Sequence, residues 1–183
     1  NMRKPPFDNI KVRQALFHAI DRQRIVADAY QGLAETAKNA VPVQFKDLFD
    51  PSVDYDKLYA YDPKKAAALL DEAGYPMKDG KRMSIELTYI TRPPYDSVSK
   101  VVQSMWNAVG IDVKMAGLDP QIWTDKVYKQ NAFDASVISL TGRTNPVLGV
   151  DRSYICNTGN LPFVNPTGYC NKEMDKAVAD AAA

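Results

Sequence analysis

Histidine is almost missing from this 183-residue sequence, which has one, His18, and cysteine occurs twice, as Cys156 and Cys170. Four soft or nitrogen ligands for a zinc site cannot be assembled from those three side chains. A bound metal would need mostly oxygen ligands, so no metal or other cofactor is expected. Charge of one sign is also lacking: 23 Lys+Arg oppose 22 Asp+Glu for a net charge of +1. Without a basic excess to neutralise a phosphate backbone, nucleic acid is excluded as the expected partner. No apolar run approaches the roughly 18 residues that span a bilayer, and residues 1 to 20 contain no short apolar block of the signal-peptide kind. The glycines form neither a dinucleotide-binding fingerprint nor a phosphate loop, and no nucleophile elbow is present. His18 lies off the apolar stripe of its helix and has no partner visible in the sequence, so it reads as a surface residue.

What is present is ample for one core: 45% of the residues are hydrophobic, and the length suits about one domain of roughly 150 residues. Helical signals come first. Asp8 or Asn9 caps a segment whose Val12, Ala15, Leu16, Ala19 and Ile20 follow the three-to-four spacing of a buried stripe. This helical entry, 8–30, is expected to break at Asp21. Residues 31–60 contain Gly32, Pro42 and Pro51 without a sustained period and read as irregular, with a short extended piece near Glu35 to Ala37. The helix at 62–74 is marked at both ends: Asp62 caps it, Pro63 takes its first position, and Gly74 stops it.

Residues 83–140 then alternate between periods. Strands are expected at 83–91, where Ile85, Leu87 and Tyr89 alternate, at 111–116 and at 133–140, with helices at 95–108 and 120–130 between them. A βαβαβ order of this kind implies parallel strands joined by helical crossovers. The expected class is therefore α/β, a mixed sheet with a parallel βαβαβ core flanked by helices. Residues 141–183 complete it as a turn-rich loop and a final helix. That loop separates the two cysteines by fourteen positions, not the spacing of a redox or metal pair, and a disulfide and two free thiols both remain open.

In open α/β sheets ligands gather beyond the carboxyl ends of the strands. Two of those ends carry an arginine: Thr91-Arg92-Pro93-Pro94-Tyr95, and Thr141-Gly142-Arg143-Thr144-Asn145-Pro146. A guanidinium presents a rigid fork of donors suited to a carboxylate. The blander alternative is that both simply sit in solvent.

Several blocks, in order, resemble the extracellular solute-binding proteins of peptide-type ABC importers (family 5), the dipeptide-binding proteins above all. They are Pro6-Phe7-Asp8-Asn9-Ile10-Lys11-Val12-Arg13-Gln14-Ala15-Leu16, Tyr61-Asp62-Pro63-Lys64-Lys65-Ala66, Arg92-Pro93, Val109-Gly110-Ile111, Phe133-Asp134-Ala135 and Gly168-Tyr169-Cys170-Asn171. The resemblance implies a receptor of two lobes that encloses its ligand, periplasmic or lipid-anchored outside the cell, acting with a membrane permease and expected to be a monomer. It places residues 1–183 in a single lobe of a longer protein. By the same resemblance Arg92 matches the arginine that holds a ligand carboxylate. Thr141 to Asn145 match a Trp-Thr-Gly-Asp type segment whose acidic side chain receives a peptide α-amino group. Here Leu140 stands in place of the tryptophan and Arg143 in place of the acid, so the charge at that end is reversed. Cys156 and Cys170 fall where dipeptide-binding relatives carry a pair, which favours a disulfide.

The expected function is thus capture of a peptide-like or other small organic anion, with Arg92, Thr141, Gly142, Arg143, Thr144 and Asn145 as ligand-binding candidates and no bond broken. The rival is a small α/β enzyme in which Arg92 and Arg143 clamp a substrate and Asp151 or another acid serves as base. No pairing of nucleophile and base supports it.

Overall fold

A computed structural model describes residues 1–41, 45–46, 49–139 and 151–182. Its chain opens with two short helices. Helix α1, Ile10–His18, is capped by Asn9, whose side chain accepts from the Lys11 amide, and α2, Arg22–Tyr30, by Asp21, which accepts from the Arg24 amide. The expected break at Asp21 is there because that carboxylate satisfies an amide left open at a helix start. Between residues 31 and 60 no paired strand forms at Glu35 to Ala37. A single helical turn does form, α3, Tyr55–Leu58, capped by Asp54.

Helix α4, Pro63–Glu72, has the expected Asp62 cap and Pro63 start. Gly74 follows at φ +88°, a left-handed conformation that costs glycine little, and lets the Tyr75 amide return to the Leu70 carbonyl at 2.9 Å. Strand β1, Met83–Ile90, helix α5, Tyr95–Ala108, and strand β2, Ile111–Leu118, come next. The helix expected at 120–130 changes register part-way: α6, Pro120–Thr124, passes into a π-helical turn, Asp125–Lys129. Strand β3 is only Ala135–Ser136, far shorter than the expected 133–140. A 3-10 turn, Asp151–Ser153, precedes the last helix, α7, Lys172–Ala182, at whose start Asn171 accepts from the Glu173 amide.

The strands lie in the order β2-β1-β3 and both pairings are parallel, in registers that set Met83 opposite Ile111 and Leu87 opposite Ala135. Among the described residues no antiparallel strand joins this sheet. Ile85 and Leu87 of β1 and Ile111 and Val113 of β2 meet Val102, Met105 and Trp106 of α5. Val12 and Leu16 of α1 and Ala66 and Leu70 of α4 extend the same core. A second apolar cluster gathers Ile90, Trp123, Val127, Tyr128 and Phe133.

His18 departs from its expected place on the surface. It is buried, with Nδ1 2.8 Å from the Ala60 carbonyl oxygen, to which the ring N–H donates, and its ring stands beside Tyr59. The Asp62 amide donates to the His18 carbonyl at 2.8 Å and the Trp106 indole to that of Leu16 at 3.0 Å. Two carbonyls of the last turn of α1 are thereby satisfied from distant segments.

Candidate functional site

Parallel strands deliver their following loops to one edge, and the candidate site is built there. At the end of β1, the Thr91 amide donates to the Leu118 carbonyl of β2 at 3.0 Å, and the Arg92 amide folds back to Ile90 at 2.8 Å. Residues 93 and 94 are both proline, leaving no backbone donor before α5 begins at Tyr95. The Arg92 side chain is exposed, with its guanidinium carbon 5.8 Å from the centre of the Tyr95 ring, a cation–π arrangement that steadies the fork without covering it. One turn into α5, Asp96 carries a buried Oδ1 that takes no hydrogen bond among the described residues.

Gly117 supports this edge from β2. A Cβ there would lie 2.6 Å from Thr91 Cγ2 and 3.0 Å from the Tyr89 ring, so any side chain would have to push Thr91 and Tyr89 aside beneath the Arg92 loop. Beyond β2, Asp119 is occupied in capping α6 through the Gln121 amide. The third strand also leads to this edge, and its candidates Thr141, Gly142, Arg143, Thr144 and Asn145 lie outside the described residues, as does Leu140. The structure therefore sets Arg92 at the strand-end edge and is silent on its five companions. Asp151, the rival base, lies in the 3-10 turn that follows.

Cys156 and Cys170 are joined as a disulfide with a Cα–Cα distance of 4.5 Å. Asp175 of α7 approaches both sulfurs, but its Oδ1 accepts from the Cys156 amide at 2.9 Å, and the disulfide leaves no thiolate for a metal. Within the loop they close, Asn165 is buried and donates to the carbonyls of Ile155 and Tyr169.

A feature that the sequence reading missed lies along β3. A groove of about 550 Å³ is walled by Phe17 of α1, by Trp123, Tyr128 and Phe133, and by Ile138 and Phe163. Trp123 and Tyr128 meet edge to face at 5.7 Å, and the indole donates to Ser136 Oγ at 3.0 Å. Burial pushes the Tyr128 hydroxyl up to about 12. No sequence period would have revealed this groove, because its walls come from segments more than a hundred residues apart.

The model of the bacterial extracellular solute-binding proteins, family 5, matches residues 1–158. This chain belongs to that family. It is 31% identical to the haem-binding protein A of Haemophilus influenzae over 99% of its own length and 32% of that protein's. To the dipeptide-binding protein of Escherichia coli it is 37% identical over 63% of its length and 21% of the relative's. Among solved structures, HbpA2 of Haemophilus parasuis superposes with a TM-score of 0.81 at 27% identity, covering all of this chain and 35% of that one. The dipeptide-binding protein of Pseudoalteromonas sp. SM9913, in complex with Met-Leu, reaches 0.78 at 24% and shares the fold. The chain thus spans about a third or less of the curated relatives that it matches. No helix among the described residues is long and apolar enough to cross a membrane.

Proposed function

We propose that this family member is one lobe of the substrate-binding component of an ABC importer. It captures a peptide-like or other small organic anion between two lobes outside the cytoplasm and passes it to a membrane permease. The observation that carries this reading is the exposed Arg92 guanidinium, stacked on Tyr95 at the carboxyl edge of a parallel sheet, in a chain whose family is that of solute-binding proteins. A fork held there by an aromatic ring suits a ligand carboxylate, and an opposing lobe would enclose it. Lobe closure supplies the signal to the permease, because ligand contacts favour the closed state over the open one. The ligand-binding set is Arg92 with Thr141, Gly142, Arg143, Thr144 and Asn145. In it Arg143 turns the site away from a free α-amino group and toward a second anionic or blocked end. The names of the relatives suggest peptides and haem, and haem also presents carboxylates.

Calorimetry on the full-length protein tests this with three probes: Met-Leu, N-acetyl-Met-Leu and haem. Arg92→Ala should cost about 2–4 kcal/mol of binding to whichever probe binds, since it removes a charge-assisted contact from an enclosed site. Arg143→Asp should lower affinity for the blocked peptide and raise it for the free one, because specificity includes repulsion of the wrong charge. Unchanged affinities in both variants would make these arginines ordinary surface residues.

A further inference from the structure

We propose that the Cys156–Cys170 loop becomes a metal site when its disulfide is reduced, taking one thiophilic divalent cation of the zinc class between the two sulfurs and the Asp175 carboxylate. Both sulfurs and a carboxylate oxygen of Asp175 lie within 4.8 Å of one another. Tetrahedral zinc, with bonds of about 2.3 Å to sulfur and about 2.1 Å to oxygen, asks for donors about 3.6–3.8 Å apart. Side-chain rotation alone covers that difference once the sulfurs are free to part. Cys170 is exposed and Cys156 and Asp175 are half-buried, so the cation has a way in and water can take the fourth position.

The three donors are gathered by bonds that do not pass through the disulfide. The side-chain amide of buried Asn165 donates to the carbonyls of Ile155 and Tyr169, at 2.9 and 2.8 Å, which are the residues directly before the two cysteines. Asn165 is itself held: its backbone amide donates to the Arg152 carbonyl at 2.6 Å, and its Oδ1 accepts from the Thr167 hydroxyl at 2.6 Å. The third donor is fixed separately. Asp175 lies in the first turn of α7, where its amide donates to the Asn171 carbonyl at 3.0 Å, and its Oδ1 accepts the Cys156 amide at 2.9 Å. One amide uses one of roughly four lone-pair sites on a carboxylate, so Asp175 keeps the capacity to ligate. A site arranged before the cation arrives loses little freedom on binding it.

The chemistry balances with a dithiol as reductant: two electrons and two protons pass to the cysteine sulfurs, and the dithiol leaves as a cyclic disulfide. The cation then displaces both thiol protons as its bonds to the sulfurs form. Its effect would be to keep the loop closed without the covalent bond. That loop holds the start of the chain, since Thr167 accepts the Met2 amide at 2.6 Å beside Asn1, whose nitrogen donates to the Asp134 carbonyl at 2.9 Å.

Cobalt(II) titration of the intact protein, reduced with a phosphine and freed of it under nitrogen, tests this. It involves neither Arg92 nor a captured ligand, so its outcome is independent of the importer reading. One equivalent should bind with a dissociation constant below about 1 µM, a thiolate-to-cobalt charge-transfer band and release of about two protons. Zinc should displace the cobalt, and should raise the melting temperature of the reduced protein while leaving that of the oxidised protein unchanged. Asp175→Asn keeps an acceptor for the Cys156 amide and should weaken cobalt binding about tenfold or more, with the oxidised variant still folded. A reduced protein that gives no thiolate band overturns the proposal. So does equal affinity in Asp175→Asn, which would leave only a pair of thiols, or equal affinity in the oxidised protein, which would assign the cation to surface carboxylates.

Discussion

Asp134, the middle residue of the Phe133-Asp134-Ala135 block, ties three segments together, and its replacement is the sharpest test of how this part of the fold is held. Its Oδ2 accepts the Glu86 amide of β1 at 2.8 Å, just before β1 and β3 begin to pair, and its Oδ1 meets Lys4 at 2.6 Å. Hydrogen bonds to a charged group contribute about 1.5–3 kcal/mol, and a half-exposed ion pair adds at most about 1. Asp134→Ala should therefore cost about 2–3 kcal/mol, a fall of about 4–12 °C in melting temperature for a domain of this size. Asp134→Asn keeps an acceptor for Glu86 and should lose only about 0.5–1 kcal/mol. Burial works to raise the carboxyl's pKa and is outweighed by the Lys4 hydrogen bond, the Glu86 amide and the nearby positive charges, so the group is held below the ordinary carboxylate range. A lowered folded-state pKa means that this stabilisation is complete above the unfolded value, about 3.9, and disappears as the pH falls through the folded value. Urea unfolding of the parent and both variants, repeated from pH 7 to pH 3, should show the parent losing its advantage over Asp134→Asn only below about pH 4. A Lys4→Met cycle apportions the ion pair. An Asp134→Ala variant within about 0.5 kcal/mol of the parent, or an advantage independent of pH, would refute the reasoning.

Three further outcomes are expected. Cys156→Ser with Cys170→Ser opens a loop of sequence separation 14 and should cost about 3 kcal/mol in denaturant unfolding, an effect absent when the parent is measured under reducing conditions. Gly117→Ala should cost about 1–3 kcal/mol by overpacking Tyr89 and Thr91, and in the full-length protein should weaken ligand binding through the Arg92 loop, as calorimetry would show. Trp106→Phe removes the donor to the Leu16 carbonyl and should cost about 2–3 kcal/mol in thermal unfolding, more than the change in apolar area alone predicts.

Local signals carried much of the fold into view. Asp62, Pro63 and Gly74 bound α4 because capping and chain termination depend on residues within one turn, and the alternation of Ile85, Leu87 and Tyr89 marks β1 for the same reason. The parallel order of the three strands follows from the helices between them. What escaped depends on distant partners. His18 is off its own helix's stripe yet buried, because the Tyr59–Ala60 segment from the irregular stretch covers it. The apolar run after Phe133 reads as a full strand, but the ladder with β1 is Ala135 and Ser136, followed by one bond from the Val137 amide to Thr88; before it, the Asp134 side chain has taken the Glu86 amide where the ladder would otherwise begin. The register change after Thr124 leaves the 3.6-residue pattern almost untouched, so nothing in the period announces it.

The same division separates the Arg92 edge from the groove along β3. The place of Arg92 at the carboxyl end of β1 was legible because it needs only a strand, a loop and a rule about strand ends, and Tyr95, three residues on, lies beside its guanidinium. The groove along β3 needs α1, β3 and the disulfide loop in place at once. Met2 donates to Thr167 at 2.6 Å and Arg3 to Pro166 at 2.6 Å, so the loop closed by Cys156 and Cys170 holds the first residues of the chain against β3. Opening that loop should therefore loosen the pairing of Asn1 with Asp134 as well as lower stability. Exchange at the β3 amides should rise in the Cys156→Ser, Cys170→Ser variant while exchange in β1 and β2, packed against α5, stays slow. A uniform rise across all three strands would mean that the disulfide acts only through the unfolded chain, with no local hold on this edge.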